Sequence, residues 1–419
     1  MLEKTFKIYT LGCKVNHYDS GVLKSALKSA GFDLRPENAG LVIINTCAVT
    51  LSAIHKNKRM LNKARQENPS AKIIILGCWV QADKEMAEKS GADAIFSSKD
   101  GQELVSFLHS QFFGNAPVLS KAPGMNPADR ARYFIKIQDG CEQYCSYCLV
   151  PFARGKYQSR NEEEILTEIK LALDFGYQEI VLSGVHLGMY GKEENSRAEA
   201  GLNELIKKIL KIHNLGRIRL SSIEVNEVDA ELIDLIRGNR KICPHLHIPL
   251  QSGTNKILRL MNRPYDTAFF WNKIRALRKA VPDIALSTDV IVGFPGESRI
   301  DFEETVNFIK KCRFSRLHVF SFSAHRRTKA FLFSGQIGTT EIAKRSKILR
   351  QLGLELEKKH EKLYEGRELT VLIEKQSDGA YSGKCEYYFN VDFIENNVLN
   401  WLGAAADKQS IRRLVRVKK

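Results

Sequence analysis

The sequence contains no apolar run approaching the ~20 residues that a membrane-spanning helix needs. Its first residues, MLEKTFKIYTLGC, lack the charged start, long apolar stretch and small-residue cleavage site of a secretory signal. These absences lead us to expect a cytoplasmic protein with no membrane partner. There is no internal repeat and no low-complexity tract, which argues against stacked-repeat and compositionally biased architectures. Acidic residues are scarce beside basic ones, 48 against 64, which leaves a net charge of +16. Such an excess favours a polyanionic partner, nucleic acid first, with a merely solvated basic surface as the plain alternative. The cysteines number nine, an odd count that cannot pair completely. In a reducing compartment they should not form a structural disulfide set, so those that cluster point to metal or catalysis.

What is present reads as an ordinary globular chain, 43% hydrophobic and 27% charged over 419 residues. That length exceeds one small core, so two or three domains are expected. Strands and helices alternate from the start: strands at 6–10, 41–44, 73–76 and 94–97, helices at 18–30, 52–66 and 80–89. This pattern predicts an open parallel α/β domain over residues 1–112. Turn-forming residues at 112–129 predict a linker. Six further strands follow, at 133–137, 180–182, 218–221, 246–249, 285–292 and 317–322, with a closing helix at 342–360. They predict a partial (β/α) barrel like that of the TIM fold over 127–358. Short strands at 369–374, 387–393 and 411–417 predict a small all-β barrel over 362–419.

Cys141, Cys145 and Cys148 form C-x3-C-x2-C in DGCEQYCSYCLVPFARG. Soft thiolates at that density select an iron–sulfur cluster or zinc. A structural zinc site normally supplies four ligands, and here there are three, which leaves an open metal position; zinc stands as the alternative. Cys13, Cys47 and Cys78 are distant in sequence, but each lies just past a predicted strand, in IYTLGC, VIINTC and IIILGC. Strand ends of an open parallel sheet share one edge, where ligands bind. The three can therefore converge into a second three-thiol site, against the alternative of unrelated core thiols. Cys243, Cys312 and Cys385 have no partner at suitable spacing and read as ordinary buried thiols.

C-x3-C-x2-C at the first strand of a βα barrel resembles the signature of the radical S-adenosylmethionine (SAM) superfamily. With Cys13, Cys47 and Cys78 the chain resembles the methylthiotransferase family within it. The likeness runs over nearly the whole length, through TLGCKVNHYDS, NTCAVT, LGCWVQ, LSGVHLGMYG, RLSSIEVNEVD, HLHIPLQSGTNKILRLMNRPY and STDVIVGFPGES. TLGCKVN looks like the branch that acts on N6-threonylcarbamoyladenosine at position 37 of tRNA, beside the anticodon. The other branches act on isopentenyladenosine in tRNA or on an aspartate of a ribosomal protein.

The resemblance implies a central radical SAM barrel, a C-terminal RNA-binding TRAM-like barrel, SAM and two 4Fe-4S clusters. One cluster is implied on Cys141, Cys145 and Cys148, with SAM on its open iron as the source of a radical. The other is implied on Cys13, Cys47 and Cys78, where the transferred sulfur is held. Cofactor contacts are expected from Tyr147 near the adenine, Gly184, Ser222, Glu224, Gln251 with Ser252, and Asp289 with the turn Gly293 to Glu297. For Tyr147 the plain alternative is a core aromatic; for Glu224 and Asp289 it is a stabilising salt bridge. The expected partners are the tRNA anticodon loop and a one-electron donor such as flavodoxin or ferredoxin, with the chain a monomer. Two basic segments could grip phosphates: HKNKRMLNKAR at 55–65, and the tail with Arg412, Arg413, Arg416, Lys418 and Lys419. His325 and Arg327 stand where the family usually has Arg and Gly, which puts the local loop shape in question.

Overall fold

Five short strands open the chain: β1 (Thr5–Thr10), β2 (Asp33–Leu34), β3 (Leu41–Thr46), β4 (Lys72–Gly77) and β5 (Ala94–Phe96). They pair in parallel in the order β2-β1-β3-β4-β5. The central strands are buried on both faces, which is why they read as continuous Val/Ile/Leu runs rather than alternating ones. Val42, Ile44, Ile73 and Ile75 point into one core with Ile54, Leu61 and Trp79. Leu41, Ile43, Ile74 and Leu76 point into the other with Phe6, Leu27 and Phe96. The strand order turns around between β1 and β3, the switch point at which such sheets bind ligands.

The computed structural model describes residues 3–48, 50–97, 101–108, 111–112, 131–377, 379–402 and 413–419. The expected linker at 112–129 falls almost wholly outside them. The chain separates into two compact units. The first joins Met1–Ala128 with Asp139–Tyr157, which carries C-x3-C-x2-C, and with Ser323–Phe331. Its core is shared accordingly: Leu149 and Ala153 pack in the cluster with Trp79 and Val80.

The second unit, Asp129–Gln138, Gln158–Phe322 and Leu332–Lys419, holds the barrel and the C-terminal sheet. Its strands are β6 (Tyr133–Asp139), β7 (Gln158–Ser159), β8 (Glu179–Gly184), β9 (Arg217–Leu220), β10 (His245–His247), β11 (Ala285–Val292) and β12 (Arg316–Ser321). They form the sheets β7-β6-β8-β9 and β10-β11-β12. Parallel bridges Ile218↔Ile242 and Ser222↔His247 join the two, giving a partial barrel of six parallel strands. The connecting helices are amphipathic: Leu202–Leu210 buries Leu202, Leu205, Ile206 and Ile209, one stripe at helical spacing. Side-chain caps start many of them, with Asn161, Asp229, Thr254, Asp266 and Ser298 each accepting a backbone N–H.

The tail forms β13 (Glu368–Ser377), β14 (Ala380–Cys385), β15 (Asn390–Ile394), β16 (Val398–Leu402) and β17 (Leu414–Lys418). These pair antiparallel in the order β15-β14-β13-β17-β16 and curl into a half-barrel over Val371, Ile373, Phe393, Val415 and Val417. Two expectations are corrected. The first long helix begins at Lys14, not residue 18, because Cys13 is its N-cap. The single helix at 80–89 is two, Cys78–Ala82 and Lys84–Glu88, broken at Asp83, whose carboxylate caps the second by accepting from Met86 N–H.

Candidate functional site

In the first unit, β3 and β4 end level with one another, Thr46 opposite Gly77, and Thr10 of β1 lies opposite Asn45. Cys47 and Cys78 are the next residues after these two strand ends, and Cys13 follows the end of β1. Two glycines make the turns. Gly12 has φ +104°, and a Cβ there would stand 2.9 Å from Cys47 Cβ and 3.2 Å from its Sγ. Gly77 has φ +101°, with its Cβ position 2.5 Å from Asn45 Oδ1. Both positions require glycine, so LGC occurs at both.

The thiols gather around Asn16, which is 1% exposed. Its Oδ1 accepts from Cys13 at 3.8 Å and from Cys78 at 4.0 Å, and its amide N–H groups donate to Leu11 O (2.8 Å) and Thr46 O (3.0 Å). Cys47 is held through its backbone: Asn57 Nδ2 donates to Cys47 O at 2.8 Å and its Oδ1 accepts from Cys47 N–H at 3.4 Å. Burial pushes the Cys78 thiol up to about 12; nearby Arg154 opposes the rise, while Cys47 and Cys13 add to it. The structure thus brings these three cysteines together, as strand-end reasoning expects.

The second thiol set lies on a loop closed by its own backbone. Cys141 N–H donates to Gly155 O (2.9 Å), Cys148 N–H to Cys145 O (2.9 Å), and Val150 N–H to Cys148 Sγ (3.4 Å). Tyr144 takes a left-handed φ of +48° at its tip and Tyr147 is half-buried. Arg154, on the helix that follows, binds both oxygens of Asp139 at 2.9 Å, Asp19 at 3.3 Å and Asn16 Oδ1. Arg327 lies over the Phe152 ring at 5.2 Å and donates to Gln81 O (3.0 Å) and Ala82 O (2.9 Å), at the end of the Cys78 helix. The departure from the family pattern at this position therefore has a local structural role. His325 accepts from Thr328 Oγ1 through its carbonyl at 2.7 Å. Asn16, Asn57, Asp19, Asp139 and Arg154 escape sequence reasoning. The one signal for Asn16 is its place one helical turn past Cys13.

Among the described residues, those that bring three ligand atoms within 4.8 Å of one another are His247, Asp289 and His318, and neither thiol set is drawn in that tightly. Thiolates sharing one tetrahedral zinc at ~2.3 Å would stand only about 3.8 Å apart. A set of three thiolates, one short of the four a structural zinc takes, suits a cluster in which each thiolate holds its own iron and the fourth iron stays open.

In the second unit, Gly184 ends β8, and Ser222 is exposed just past β9. Gln251 has φ +66° and exchanges backbone bonds with β11, accepting from Ile291 N–H and donating to Asp289 O at 2.9 Å. Ser252 is fully buried. Glu224 is ion-paired to buried Arg263. Asp289 lies within β11 rather than past its end, which corrects the strand-end expectation for it. Its Oδ1 accepts from His247 Nε2 (3.0 Å) and His318 Nδ1 (3.2 Å), and His247 Nδ1 meets Ser287 Oγ (2.9 Å). Although burial alone would raise its pKa, the two imidazoles hold this carboxyl well below the usual range. Gly293 N–H donates to Glu297 (2.8 Å), which is paired with Arg345 (2.7 Å) and fixes the GFPGE turn. Cys243, Cys312 and Cys385 are buried, as expected.

In the tail, Arg416 and Lys418 face outward on β17, while Lys419 folds back onto Glu361 O (3.1 Å) and the Phe389 ring. Arg413 is half-buried, and Arg412 lies outside the described residues.

Comparison with known proteins adds to this geometry. Residues 135–309 match the Radical SAM superfamily and residues 5–97 the Uncharacterized protein family UPF0004. The threonylcarbamoyladenosine tRNA methylthiotransferase MtaB of Thermotoga maritima is 36% identical, with 94% of this chain and 92% of the relative covered. The protein of that name from Bacillus subtilis is 34% identical over 93% and 90%. The tRNA-2-methylthio-N(6)-dimethylallyladenosine synthase of Thermodesulfovibrio yellowstonii is 35% identical over 92% and 91%. Among solved structures, the radical SAM methyltransferase TsrM of Kitasatospora setae aligns with a TM-score of 0.55 at 14% identity, covering 76% of this chain and 75% of that one, a likeness of fold. Agreement of this extent with full-length relatives, over both thiol-bearing regions, establishes that the chain belongs to the tRNA methylthiotransferase family of radical SAM proteins.

Proposed function

We propose that this protein is the enzyme that adds a methylthio group to C2 of N6-threonylcarbamoyladenosine beside the tRNA anticodon. The observation that carries this reading is the meeting of Cys13 and Cys78 at Asn16, with Cys47 beside them, in a chain that also bears the C-x3-C-x2-C loop. Cys13, Cys47 and Cys78 would hold one 4Fe-4S cluster, and Cys141, Cys145 and Cys148 the other. With SAM bound, these groups supply a radical that can take hydrogen from C2 and the methylated sulfur that replaces it.

The chain's own residues do the rest. Cys13 stands at the N-cap of a 16-residue helix, which fixes where its thiol leaves the sheet edge. Asn57 fixes the Cys47 backbone, so the site is shaped before metal arrives. Tyr147, Gly184, Ser222, Glu224, Gln251 and Asp289 are the SAM contacts we propose. Glu224 and Asp289 would act while held by Arg263 and by the two imidazoles.

For the RNA we propose the exposed face of helix Leu51–Glu67, with Lys56, Lys58, Arg59 and Lys63, and the outward side of β17 with Arg416 and Lys418. The outer basic face and the inner Asn57 lie on one helix, so RNA bound there is close in the chain to Cys47. The protein would work in the cytoplasm as a monomer, with a small electron-transfer protein such as flavodoxin or ferredoxin as reductant. No described helix is long and apolar enough to cross a membrane.

A second reading, isopentenyladenosine as substrate, is favoured by the 35% identity to the dimethylallyladenosine synthase. Nucleoside mass spectrometry of tRNA from a deletion strain separates the two. Loss of 2-methylthio-threonylcarbamoyladenosine, restored by the gene and not by its Cys47→Ala form, is expected. Loss of the isopentenyl product instead would give the second reading. Unchanged tRNA would direct attention to a ribosomal protein.

A further inference from the structure

Arg154 is 5% exposed and sits at the end of helix Val150–Arg154, just past the C-x3-C-x2-C loop. Its guanidinium reaches toward the helix that follows Cys13. One nitrogen takes both oxygens of Asp139, and the other reaches Asp19 and Asn16 on the helix that follows Cys13. Asn16 cannot turn its amide round, because its N–H groups are committed to Leu11 O and Thr46 O. Its Oδ1 therefore faces both the guanidinium and the thiols of Cys13 and Cys78.

We propose that Arg154 is the positioning residue that sets the reduction potential of the cluster on Cys13, Cys47 and Cys78. It does so by holding a fixed positive charge against the asparagine that the Cys13 and Cys78 thiols share. The inference rests on the cluster assignment made above. An added electron on that cluster is an added negative charge beside the buried Cys47 and Cys78, where a nearby cation counts for more than in water. Asp139 and Asp19 take part of that charge, so removing one of them should act in the opposite sense from removing Arg154. A purely structural arginine would tie the loop to the helix without regard to electron count.

The test uses the full chain with Cys141, Cys145 and Cys148 replaced by alanine, which leaves one cluster. Iron and sulfide are counted, and the midpoint potential is read by an EPR-monitored redox titration. R154Q should shift the ratio of reduced to oxidised cluster at a given potential by at least tenfold, a fall of 59 mV for one electron. R154K, which keeps the charge, should stay within threefold of the parent, and D139N should raise the potential. If R154Q retains its iron with an unmoved potential, Arg154 is structural and the inference is overturned. If R154Q loses the cluster, D139N decides: an unmoved or lowered potential overturns the inference. A parent protein without iron would overturn the cluster assignment itself, and this inference with it.

Discussion

Burial alone does not mark a cluster ligand. Cys243, Cys312 and Cys385 are buried, which pushes their thiols up to about 11, 12 and 12, and Cys78 is pushed to about 12 in the same way. What separates Cys78 is its company: two further thiols, an arginine and the Asn16 amide. Replacing Asn16 with alanine removes two hydrogen bonds to the backbone and leaves Leu11 O and Thr46 O to find other partners, a cost of about 1–3 kcal/mol. Iron in Asn16→Ala should fall from about two clusters per chain toward one, measured after anaerobic reconstitution, whereas Cys243→Ser should keep both. Equal iron in the two variants would count against Asn16 as the organiser of the site. The proximity of Cys13, Cys47 and Cys78 was legible because each follows a strand. Arg154 and Asn16 were not, because they meet across 138 positions of chain and no local pattern encodes that contact.

At the level of elements, the C-terminal sheet is pinned to the barrel by a buried charge set. Arg217 donates to Thr370 O (2.7 Å) and Lys384 O (2.8 Å), and Arg219 to Glu386 O (3.0 Å) and Cys385 O (3.1 Å). Glu179, fully buried between them, is held well below the usual carboxylate range; burial opposes this, and the two arginines outweigh it. Arg219→Met should lose about 3 kcal/mol of stability, because it strips a buried carboxylate of one partner. Thermal unfolding measures this, and a change below about 1 kcal/mol would show that the pin is dispensable.

His360 gives the acid response. Burial first, then Arg278 and Lys419, push its pKa down to about 4 from 6.5, with Asp283 opposing. Unfolded chain binds the proton more readily, so this contribution is full above pH 6.5 and is lost as pH falls from 6.5 toward 4. His360→Phe should flatten the fall in melting temperature across that window. An unaltered slope would assign the acid sensitivity elsewhere.

Elements with strong apolar runs were legible to the residue, as with β11, whereas β2, β14 and β16 were not. β2 is two exposed residues, Asp33 and Leu34, and β14 interrupts its inward face, Tyr381, Gly383 and Cys385, with a glycine that lacks a side chain to pack. Tertiary pairing, not propensity, makes them strands.

For the molecule as a whole, the net charge of +16 points to an RNA partner whose grip depends on salt. Binding of unmodified tRNA should weaken steeply between low and physiological salt. Reversing Lys56, Arg59 and Lys63 together to glutamate should flatten that dependence by about 0.7–0.9 in log–log slope for each phosphate no longer neutralised. Filter binding across a salt series checks it, and an identical slope would exclude the helix from the interface. The order of α/β sheet, partial barrel and β tail was legible from periodicity. The division of the chain into units was not, because Asp139–Tyr157 and Ser323–Phe331 join the first unit from positions deep within the barrel sequence.

The thiols around Asn16 come from three separate turns of a single sheet, and this has a bearing on maturation. An iron–sulfur group lodged there would act as a rivet through remote stretches of backbone, and it can be driven home only once those turns already lie side by side. On that assignment, assembly of the domain would precede its metallation, because Cys13, Cys47 and Cys78 are brought together only by the folded sheet.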